Sequence, residues 1–570
     1  MPGHVPSSTA YSFAGKADPL QLRGRRCIHT MPSSRPDAET LFSYTFGRWL
    51  SNEEAERRGR YVSFDPDGLE RIACKSVGAQ KCLSWQKIGE GSFNRVFLLQ
   101  FDNGTEAAVR IPFPIAGNVG RSVASEVATM CYVRERWRDI DYSSFPFPPK
   151  VFAWDSSHDN PARTPYIILE YAPGVRLGER WLYIRGAEVK PAIDDVQQLE
   201  LALLSDQLSQ NGSLYFADGV SEELRNRPLY PEGDDDLGEL ARQLDSKYKI
   251  GPTANREWWR GPYGGIHANR GPWPDMQTMI RSAAEFQLRA IDTGAVDIAS
   301  PGNRSTPSDI PLLRRLLHMC IRAAPLVVPT DPELTAPVLN HPDLALTNLI
   351  VPPDGPARIL HSIDWQGATV SPFCMQAALP SAMVYRDGVV ELSGLGALWP
   401  EDFDSKTEEE KEFIRLHHRL ATRHCVYELQ AEPRRPRTKA MLLPHFASLV
   451  NLVTFITRCI ADGPADLLEA LVGFQQQWPE ITSDGSVPCP IDFTPEEAAT
   501  YAQEVERQKE YGGNVARLYD ALGCLNDGSV VPELYEEAKA RMERLREEWD
   551  ETAMKGPFPF AEGITSPYLS

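Results

Sequence analysis

A polar loop between two apolar runs constrains this chain more than any other stretch. Residues 339–351 read LNHPDLALTNLIV, and residues 359–366 read ILHSIDWQ, a short β-like run that ends on a second acid. Phosphoryl transfer from ATP needs one carboxylate to orient the attacking hydroxyl, and an amide oxygen and a second carboxylate to hold Mg²⁺ against the phosphates. The polar side chains that the two runs offer at predicted strand ends are His341, Asp343, Asn348 and Asp364.

Each part of this pattern also has an ordinary structural interpretation. A lone His-x-Asp is common, and an aspartate at the end of a strand is often only a turn residue. The compound pattern is much more specific than its parts, because His-x-Asp-x4-Asn is followed sixteen residues later by apolar-Asp-aromatic. The pattern therefore favours Asp343 and His341 as the catalytic residues, with His341 organising the loop rather than reacting. It also favours Asn348 and Asp364 as Mg²⁺ ligands.

The stretch resembles the catalytic loop and metal-binding segment of the aminoglycoside phosphotransferase and choline kinase group. The usual form in that group is close to His-Gly-Asp-x-x-x-x-Asn and Ile-Asp-Trp. Pro342 here replaces the glycine, and Ala345 stands where bacterial relatives often carry histidine. Both departures leave the two carboxylates and the amide in place.

Length and composition set outer limits on the class of protein. A chain of 570 residues predicts two to four domains or lobes, and 42% hydrophobic with 24% charged residues is ordinary for a soluble globular protein. The net charge of -19 argues against nucleic-acid binding; it fits either a cationic substrate or a solvated acidic surface. The ten cysteines are scattered without a Cys-x-x-Cys pair, which favours a reducing compartment. No apolar run reaches the length of a transmembrane helix.

The N-terminal segments differ in character. Residues 1–35 contain one acid, Asp18, against five lysines or arginines, and they are rich in serine and proline. This composition is typical of a mitochondrial transit peptide, although a disordered tail is the alternative and the prolines interrupt any helix. Residues 36–80 are predicted to form a helical arm that docks on the next lobe, with Ser51 as a helix cap and Glu54 at the capping-box position.

Residues 81–172 are predicted to form a small nucleotide-binding lobe built on a five-stranded antiparallel sheet. Gly89 and Gly91 fall in a strand–turn–strand, where glycine lets backbone N–H groups approach phosphates closely. Asn94 stands where kinases have a third glycine, and asparagine tolerates a left-handed φ better than most residues. These three residues are the predicted phosphate loop.

A basic residue and an acidic residue complete the predicted nucleotide site. Arg110 occupies the third-strand position where a kinase usually has a phosphate-binding lysine, and arginine is larger, planar and bidentate. Glu126 lies on the helix predicted over residues 121–137 and would pair with Arg110 in a kinase arrangement. Its alternative is a surface position on that helix.

Four segments of the first lobe extend the resemblance to one fungal branch. They read SYTFGRWL at residues 43–50, EGSFNRVF at 90–97, VRIP at 109–112 and SEVATM at 125–130. Together they look like the fungal phosphotransferase-like family that includes altered inheritance of mitochondria protein 9. This resemblance implies that arginine on the third strand is a family trait and that the protein is mitochondrial, with the cytoplasm as the alternative. It implies no particular substrate.

Residues 173–570 are predicted to form a large helical lobe. It contains a substrate-side insertion (175–340), the catalytic and metal loops (339–370) and C-terminal helices, one of which starts at Thr494 with a capping box to Glu497. The insertion holds a Gly/Pro/Trp-rich stretch around Trp258, Trp259 and Trp273. These tryptophans either cage a cationic amine or anchor loops on the core.

The sequence thus predicts an α+β protein with a two-lobed, protein-kinase-like fold. The leading hypothesis is an ATP- and Mg²⁺-dependent phosphotransferase that acts on a hydroxyl of an unidentified small molecule. The alternative is a kinase fold used without catalysis, as a nucleotide-binding or scaffold protein associated with mitochondria. Arg110, Asn94 and Pro342 favour the alternative, whereas the intact set of Asp343, Asn348 and Asp364 favours the enzyme.

Overall fold

The structure of the chain is a computed structural model. It describes residues 35–139, 145–231, 238–299, 303–393, 396–429, 434–482 and 487–560. The predicted transit or disordered segment, residues 1–35, lies outside these ranges except for Arg35. That residue pairs with Asp67 and Glu70 of the arm.

The arm is a run of short elements that packs on the first lobe. Its elements are α1 (Ala38–Phe42), β1 (Arg48–Trp49), α2 (Glu53–Gly59) and α3 (Pro66–Val77). The predicted cap at Ser51 is wrong. Helix α2 is entered through Asn52 at φ 51, a left-handed residue without a side-chain cap bond, so Ser51 lies one position outside the cap.

The small lobe contains the predicted five-stranded antiparallel sheet. Its spatial order is β2-β3-β4-β6-β5, and the next helix in the chain is α4 (Val119–Arg136). Buried side chains of the sheet, such as Phe97 and Val109, pack against Leu69 and Phe64 of the arm. The strands are β2 (Cys82–Glu90), β3 (Asn94–Phe101), β4 (Glu106–Pro112), β5 (Val151–Asp155) and β6 (Tyr166–Glu170).

The large lobe is mostly helical, as predicted, with short strands. Its strands are β7 (Val175–Arg176), β8 (Ser213–Phe216), β9 (Tyr248–Gly251), β10 (Pro337–Asn340), β11 (Leu349–Val351), β12 (His361–Ser362), β13 (Thr369–Pro372), β14 (Glu391–Ser393), β15 (Gly396–Leu398) and β16 (Ser529–Val530). Its helices are α5 (Leu177–Trp181), α6 (Lys190–Ser205), α7 (Glu222–Arg225), α8 (Glu239–Lys247), α9 (Met276–Thr293), α10 (Ile310–Val327), α11 (Pro332–Thr335), α12 (Glu408–Leu429), α13 (Arg434–Met441), α14 (Phe446–Val450), α15 (Leu452–Arg458), α16 (Ala465–Gln476), α17 (Trp478–Ile481), α18 (Pro495–Leu522) and α19 (Tyr535–Glu547).

One of the hydrophobic clusters contains residues of both lobes. Val127 of α4 and Ile167 of β6 belong to the same buried cluster as Leu339, Leu349 and Val370, which flank the predicted catalytic loops. The two lobes are therefore packed on each other rather than merely tethered. The arrangement is the α+β, two-lobed, kinase-like fold predicted from the sequence.

Strand pairing brings the two predicted catalytic loops side by side. Strand β10 pairs with β13, and β11 pairs with β12, so the loops that follow β10 and β12 leave neighbouring pairs of strands. The segment that follows the small lobe joins the sheet of β11 and β12, because its strand β7 pairs with β11. Gly174 is needed there: its φ is 142, and a Cβ would lie 2.5 Å from the carbonyl oxygen of Val351.

The N-terminal arm also contacts the C-terminal part of the chain. Strand β1 pairs antiparallel with β16, and the indole of Trp49 donates to Asp527 at 3.3 Å. The fully buried Arg60 bonds Glu56 and lies 3.8 Å from Asp527. The arm therefore packs on the small lobe and also joins the last segment of the large lobe.

The tryptophans of the insertion anchor its loops. Trp258 and Trp273 are each 3% exposed, and their ring centroids lie 5.1 Å apart. The ring of Trp259 already has two guanidinium groups of the protein over it, Arg121 at 4.5 Å and Arg270 at 4.2 Å. The aromatic surface is thus occupied by the protein's own side chains, which favours the anchor over the cage.

Within the part of the chain that the structure describes, no helix combines the length and apolar character that crossing a membrane requires.

Candidate active site

His341 holds the first loop in shape. Its ring is 3% exposed and packs edge-on against Trp365, with centroids 4.5 Å apart. The Asp343 N–H donates to Nδ1 at 3.2 Å, so Nε2 carries the proton and donates to the carbonyl of Ile363 at 3.1 Å. Burial lowers the pKa of His341 to about 4. With both ring nitrogens in hydrogen bonds, His341 is placed to hold the loop in shape.

Asp343 and Asn348 meet at the mouth of this loop. The Asn348 amide donates from Nδ2 to the backbone oxygen of Asp343 at 2.9 Å and to its Oδ2 at 3.1 Å. The pKa of Asp343 is raised by the loss of water around the carboxylate and by the charge of Asp364, while Asn348 opposes the shift. Both hydrogen bonds use Nδ2, so the Oδ1 of Asn348 is the atom that could take a cation.

Asp364 is held in an uncommon backbone conformation. Its φ is 66, in the left-handed region, and Gly367 follows at φ 81. A non-glycine residue at positive φ costs free energy and is often found at functional sites. The carboxylate is half-exposed, and its Oδ1 lies 3.7 Å from Nη1 of Arg110.

Arg110 and Glu126 are paired, as the kinase arrangement predicted. Nη1 of Arg110 bonds Oε1 of Glu126, and both side chains are buried. Burial raises the pKa of Glu126 to about 7; the guanidinium of Arg110 opposes this shift, and the nearby Asp364 adds to it. Nε of Arg110 is buried with no hydrogen-bond partner among the described residues.

The glycine loop has open space around Gly89 and Gly91. A Cβ on Gly89 or Gly91 would meet no atom within 4 Å, and neither residue has a left-handed φ. Nothing in the described protein packing therefore requires glycine at these two positions. The Gly91 N–H bonds back to the carbonyl of Asn94 at 2.9 Å, which closes the turn.

The prediction for Asn94 is wrong in its geometry. Asn94 is the first residue of β3, paired with Pro112, and it is not among the residues with positive φ. Its Nδ2 instead donates to Oε1 of Gln366 at 2.6 Å. Asn94 therefore contacts the large lobe and does not take the left-handed conformation of a third glycine. Its role in nucleotide binding stays a prediction.

Sequence reasoning missed two residues next to the predicted ones. Gln366 contacts both Asn94 and Arg110. The side chain of Glu90, adjacent to Gly91, is fully buried and accepts hydrogen bonds from the backbone N–H groups of Thr45 and Phe46 in the arm. Their positions could have indicated them, because Glu90 lies between the two glycines of the loop and Gln366 directly follows the Asp-aromatic motif.

The donor set has the chemistry of a magnesium site that is completed by phosphate. No group of three or more His, Cys, Asp or Glu side chains among the described residues could hold a metal ion. The two loops instead offer one amide, of Asn348, and two carboxylates, of Asp343 and Asp364, of which Asp364 is half-exposed. Mg²⁺ usually keeps such a sparse protein shell and takes its other ligands from water and phosphates. The residues present therefore fit the ion.

The two lobes and the five-stranded antiparallel sheet define the class: a kinase-like fold. No family model matches the chain. It is 27% identical to a subtelomeric hrmA-associated cluster protein of Aspergillus fumigatus, over 83% of this chain and 94% of that protein. It is 24% identical to altered inheritance of mitochondria protein 9, mitochondrial, of Yarrowia lipolytica, over 82% of each chain.

These relatives confirm the resemblance predicted from the sequence. The name of the Yarrowia protein also supports the predicted mitochondrial localisation. Among solved structures, the chain is similar to aminoglycoside phosphotransferase APH(4)-Ia, with 14% identity and a TM-score of 0.36, over 74% of this chain and 100% of that one.

Proposed function

We propose that the protein is an ATP- and Mg²⁺-dependent phosphotransferase that acts on a hydroxyl group of a small molecule. One observation carries the proposal: the Arg110–Glu126 pair and Asp364 come together at one point. Nη1 of Arg110 bonds Glu126 and lies 3.7 Å from Oδ1 of Asp364. A structural ion pair has no need of a second, half-exposed carboxylate.

Asp343 would orient the acceptor hydroxyl and accept its proton. The raised pKa of this carboxyl makes it a better base than an ordinary aspartate, and the Asn348 amide fixes its direction. His341 would hold the loop by its two backbone contacts. Catalysis of this kind depends mainly on positioning and electrostatic stabilisation.

Nucleotide binding would fall to residues 81–172, and the acceptor to the side formed by residues 175–340. Asn348 and Asp364 would hold Mg²⁺, which when bound neutralises charge on the phosphates. Gly89 and Gly91 would let backbone N–H groups approach those phosphates through the open space beside them. The unpaired Nε–H of Arg110 is a buried donor that a phosphate oxygen would satisfy.

The test is a thermal-shift titration with ATP, with and without Mg²⁺, on the wild type and on Asp364→Asn. A ligand that binds only the folded protein stabilises it by about 2.7 kcal/mol at a hundred times its Kd. We expect a Mg²⁺-dependent rise of the melting temperature that Asp364→Asn abolishes. The matched control is Asp354→Asn, which makes the same charge change at an exposed residue of the loop between β11 and β12.

The second candidate is a kinase fold that binds partners without catalysis. It explains the contact between Arg110 and Asp364 in a different way: the guanidinium neutralises that carboxylate in place of a metal. Under this reading, millimolar ATP with Mg²⁺ gives no shift of the melting temperature. A shift of the melting temperature that is unchanged in Asp364→Asn would mean that the protein binds nucleotide but that Asp364 holds no metal ion.

A further inference from the structure

Gln366 joins the loop that carries Asp364 to the small lobe by three hydrogen bonds. Its Oε1 accepts from Nδ2 of Asn94 at 2.6 Å and from Nη2 of Arg110 at 3.0 Å. Its Nε2 donates to Oγ of Ser122, in the first turn of α4, at 3.1 Å. One side chain of the large lobe thus contacts strand β3, strand β4 and helix α4.

The residue before Gln366 anchors the same loop in the other lobe. Trp365 is fully buried in the core shared by the lobes, and its indole donates to the carbonyl of Ser362 at 3.1 Å. Asp364 lies directly before this anchor at its left-handed φ. The position of Asp364 is therefore fixed from two sides, by Trp365 in the core and by Gln366 on the small lobe.

The contact with Gln366 also explains the arginine on the third strand of the sheet. A guanidinium has a planar fork of donors, and here Nη1 serves Glu126 while Nη2 serves Gln366. A lysine at residue 110 has a single nitrogen at the end of a flexible stem. It could keep the pair with Glu126, but it would leave the oxygen of Gln366 with one donor fewer.

We propose, on the basis of the proposed function, that Gln366 is a positioning residue for phosphoryl transfer. It binds the loop of Asp364 to Arg110 and Asn94, so that the metal-binding carboxylate stands beside the Arg110–Glu126 pair before nucleotide arrives. Arg110 and Gln366 act as a matched pair, and each loses much of its effect when the other is replaced. Gln366 contacts no reacting atom.

The first experiment measures the affinity of the full chain for ATP, in Mg²⁺ and in EDTA. Gln366→Leu removes both hydrogen-bonding atoms at similar size, whereas Gln366→Glu keeps an oxygen that can accept from Asn94 and Arg110. The control is Gln100→Leu. Gln100 also uses both amide atoms, with Ser84 at 2.9 Å and Glu106 at 2.8 Å, but it sits near the opposite end of β3.

We expect Gln366→Leu to weaken Mg²⁺–ATP binding about tenfold or more, and ATP binding in EDTA less than about threefold. Gln366→Glu and Gln100→Leu should bind Mg²⁺–ATP within about threefold of the wild type. A purely structural role would weaken binding in Mg²⁺ and EDTA alike. Any of three outcomes would overturn the proposal. They are an equal loss in Mg²⁺ and in EDTA, unchanged binding by Gln366→Leu, and a loss in Gln100→Leu as large as that in Gln366→Leu.

The second experiment needs no nucleotide and separates this proposal from the proposed function. The melting temperatures of the wild type, Arg110→Lys, Gln366→Leu and the double variant form a thermodynamic cycle. We expect the double variant to lose less than the sum of the two single losses. Simple additivity would overturn the matched pair. If the wild type binds no ATP but the cycle shows this coupling, the proposed phosphotransferase function is wrong and the pairing of Arg110 with Gln366 is confirmed.

Discussion

Two buried arginine–glutamate pairs in this protein look alike but differ in their surroundings. Arg110 pairs with Glu126 in the cleft, and Arg437 pairs with Glu200 in the large lobe; each arginine is 7% exposed. Burial raises the pKa of both carboxyl groups to about 7, against the effect of the arginine. Each glutamate also keeps one buried oxygen, Oε2, without a hydrogen-bond partner among the described residues.

The difference lies in the rest of each guanidinium. Arg437 donates from Nε to the carbonyl of Ala377 at 3.1 Å, so this nitrogen is used within the protein. Arg110 has an unpaired Nε and a half-exposed carboxylate, Asp364, at 3.7 Å. Burial and a shifted pKa therefore do not by themselves mark a functional pair. In Arg110 the unpaired Nε occurs together with a second carboxylate, Asp364, and this combination distinguishes the two pairs.

The largest expected effect comes from removing each arginine. Arg437→Met leaves Glu200 buried without its partner, and we expect the free energy of unfolding to fall by about 3–5 kcal/mol, measured by urea denaturation. Its affinity for Mg²⁺–ATP, measured by calorimetry, should stay within about twofold of the wild type. Arg110→Met should weaken that affinity at least about tenfold. Equal losses of affinity in the two variants would mean that the pairs are not functionally different.

The pH dependence of stability should be shared by both pairs. Each glutamate has a folded-state pKa of about 7 against an ordinary value of 4.5, so between these values the folded protein holds a proton that the unfolded chain has released. Stability is then full below the ordinary pKa and falls as the pH rises through about 7. Glu126→Gln and Glu200→Gln should each flatten this decline, measured as the melting temperature from pH 4.5 to 8.

The pH dependence of nucleotide binding should belong to one pair only. Ionised Glu126 holds Arg110 in the cleft, so we expect Mg²⁺–ATP affinity to rise as the pH passes upward through about 7. Glu126→Gln should lose this rise, and Glu200→Gln should retain it, in calorimetric titrations at pH 6 and 8. The same profile in both variants would contradict the assignment of Glu126 to the nucleotide site.

Features with a local pattern were predicted well from the sequence. The five strands of the small lobe, the pairing of Glu126 with Arg110 and the capping box of Thr494 with Glu497 are all present. Each rests on alternation, on a motif of fixed spacing or on contacts within one turn. The wrong predictions at Asn94 and Ser51 concern single positions at element ends, where one residue more or less of pairing changes the role of a side chain.

Contacts between distant parts of the chain could not be predicted. Gln366 bonds partners that lie 272 and 256 residues earlier, and strand β1 pairs with β16 through two residues on each side. Neither contact leaves a periodic signal, because a two-residue strand has no alternation to read. These contacts follow only from the packing of the two lobes, and they determine how Asp364 and the arm are held.

The smallest expected effects come from replacing a glycine of the proposed nucleotide site, Gly91, and a glycine far from it in the chain, Gly512. Gly91→Ala adds a methyl group into space that no described atom occupies, so the stability should change by less than about 1 kcal/mol. The affinity for Mg²⁺–ATP should still fall about threefold to tenfold, because the methyl group stands where phosphates would approach. Gly512→Ala, in the interior of α18, should gain about 0.5–1 kcal/mol of stability from helix propensity and leave the affinity unchanged. Urea denaturation and ATP titration on both variants give the answer. Unchanged affinity in Gly91→Ala would mean that the open space at Gly91 is surface and not a phosphate site.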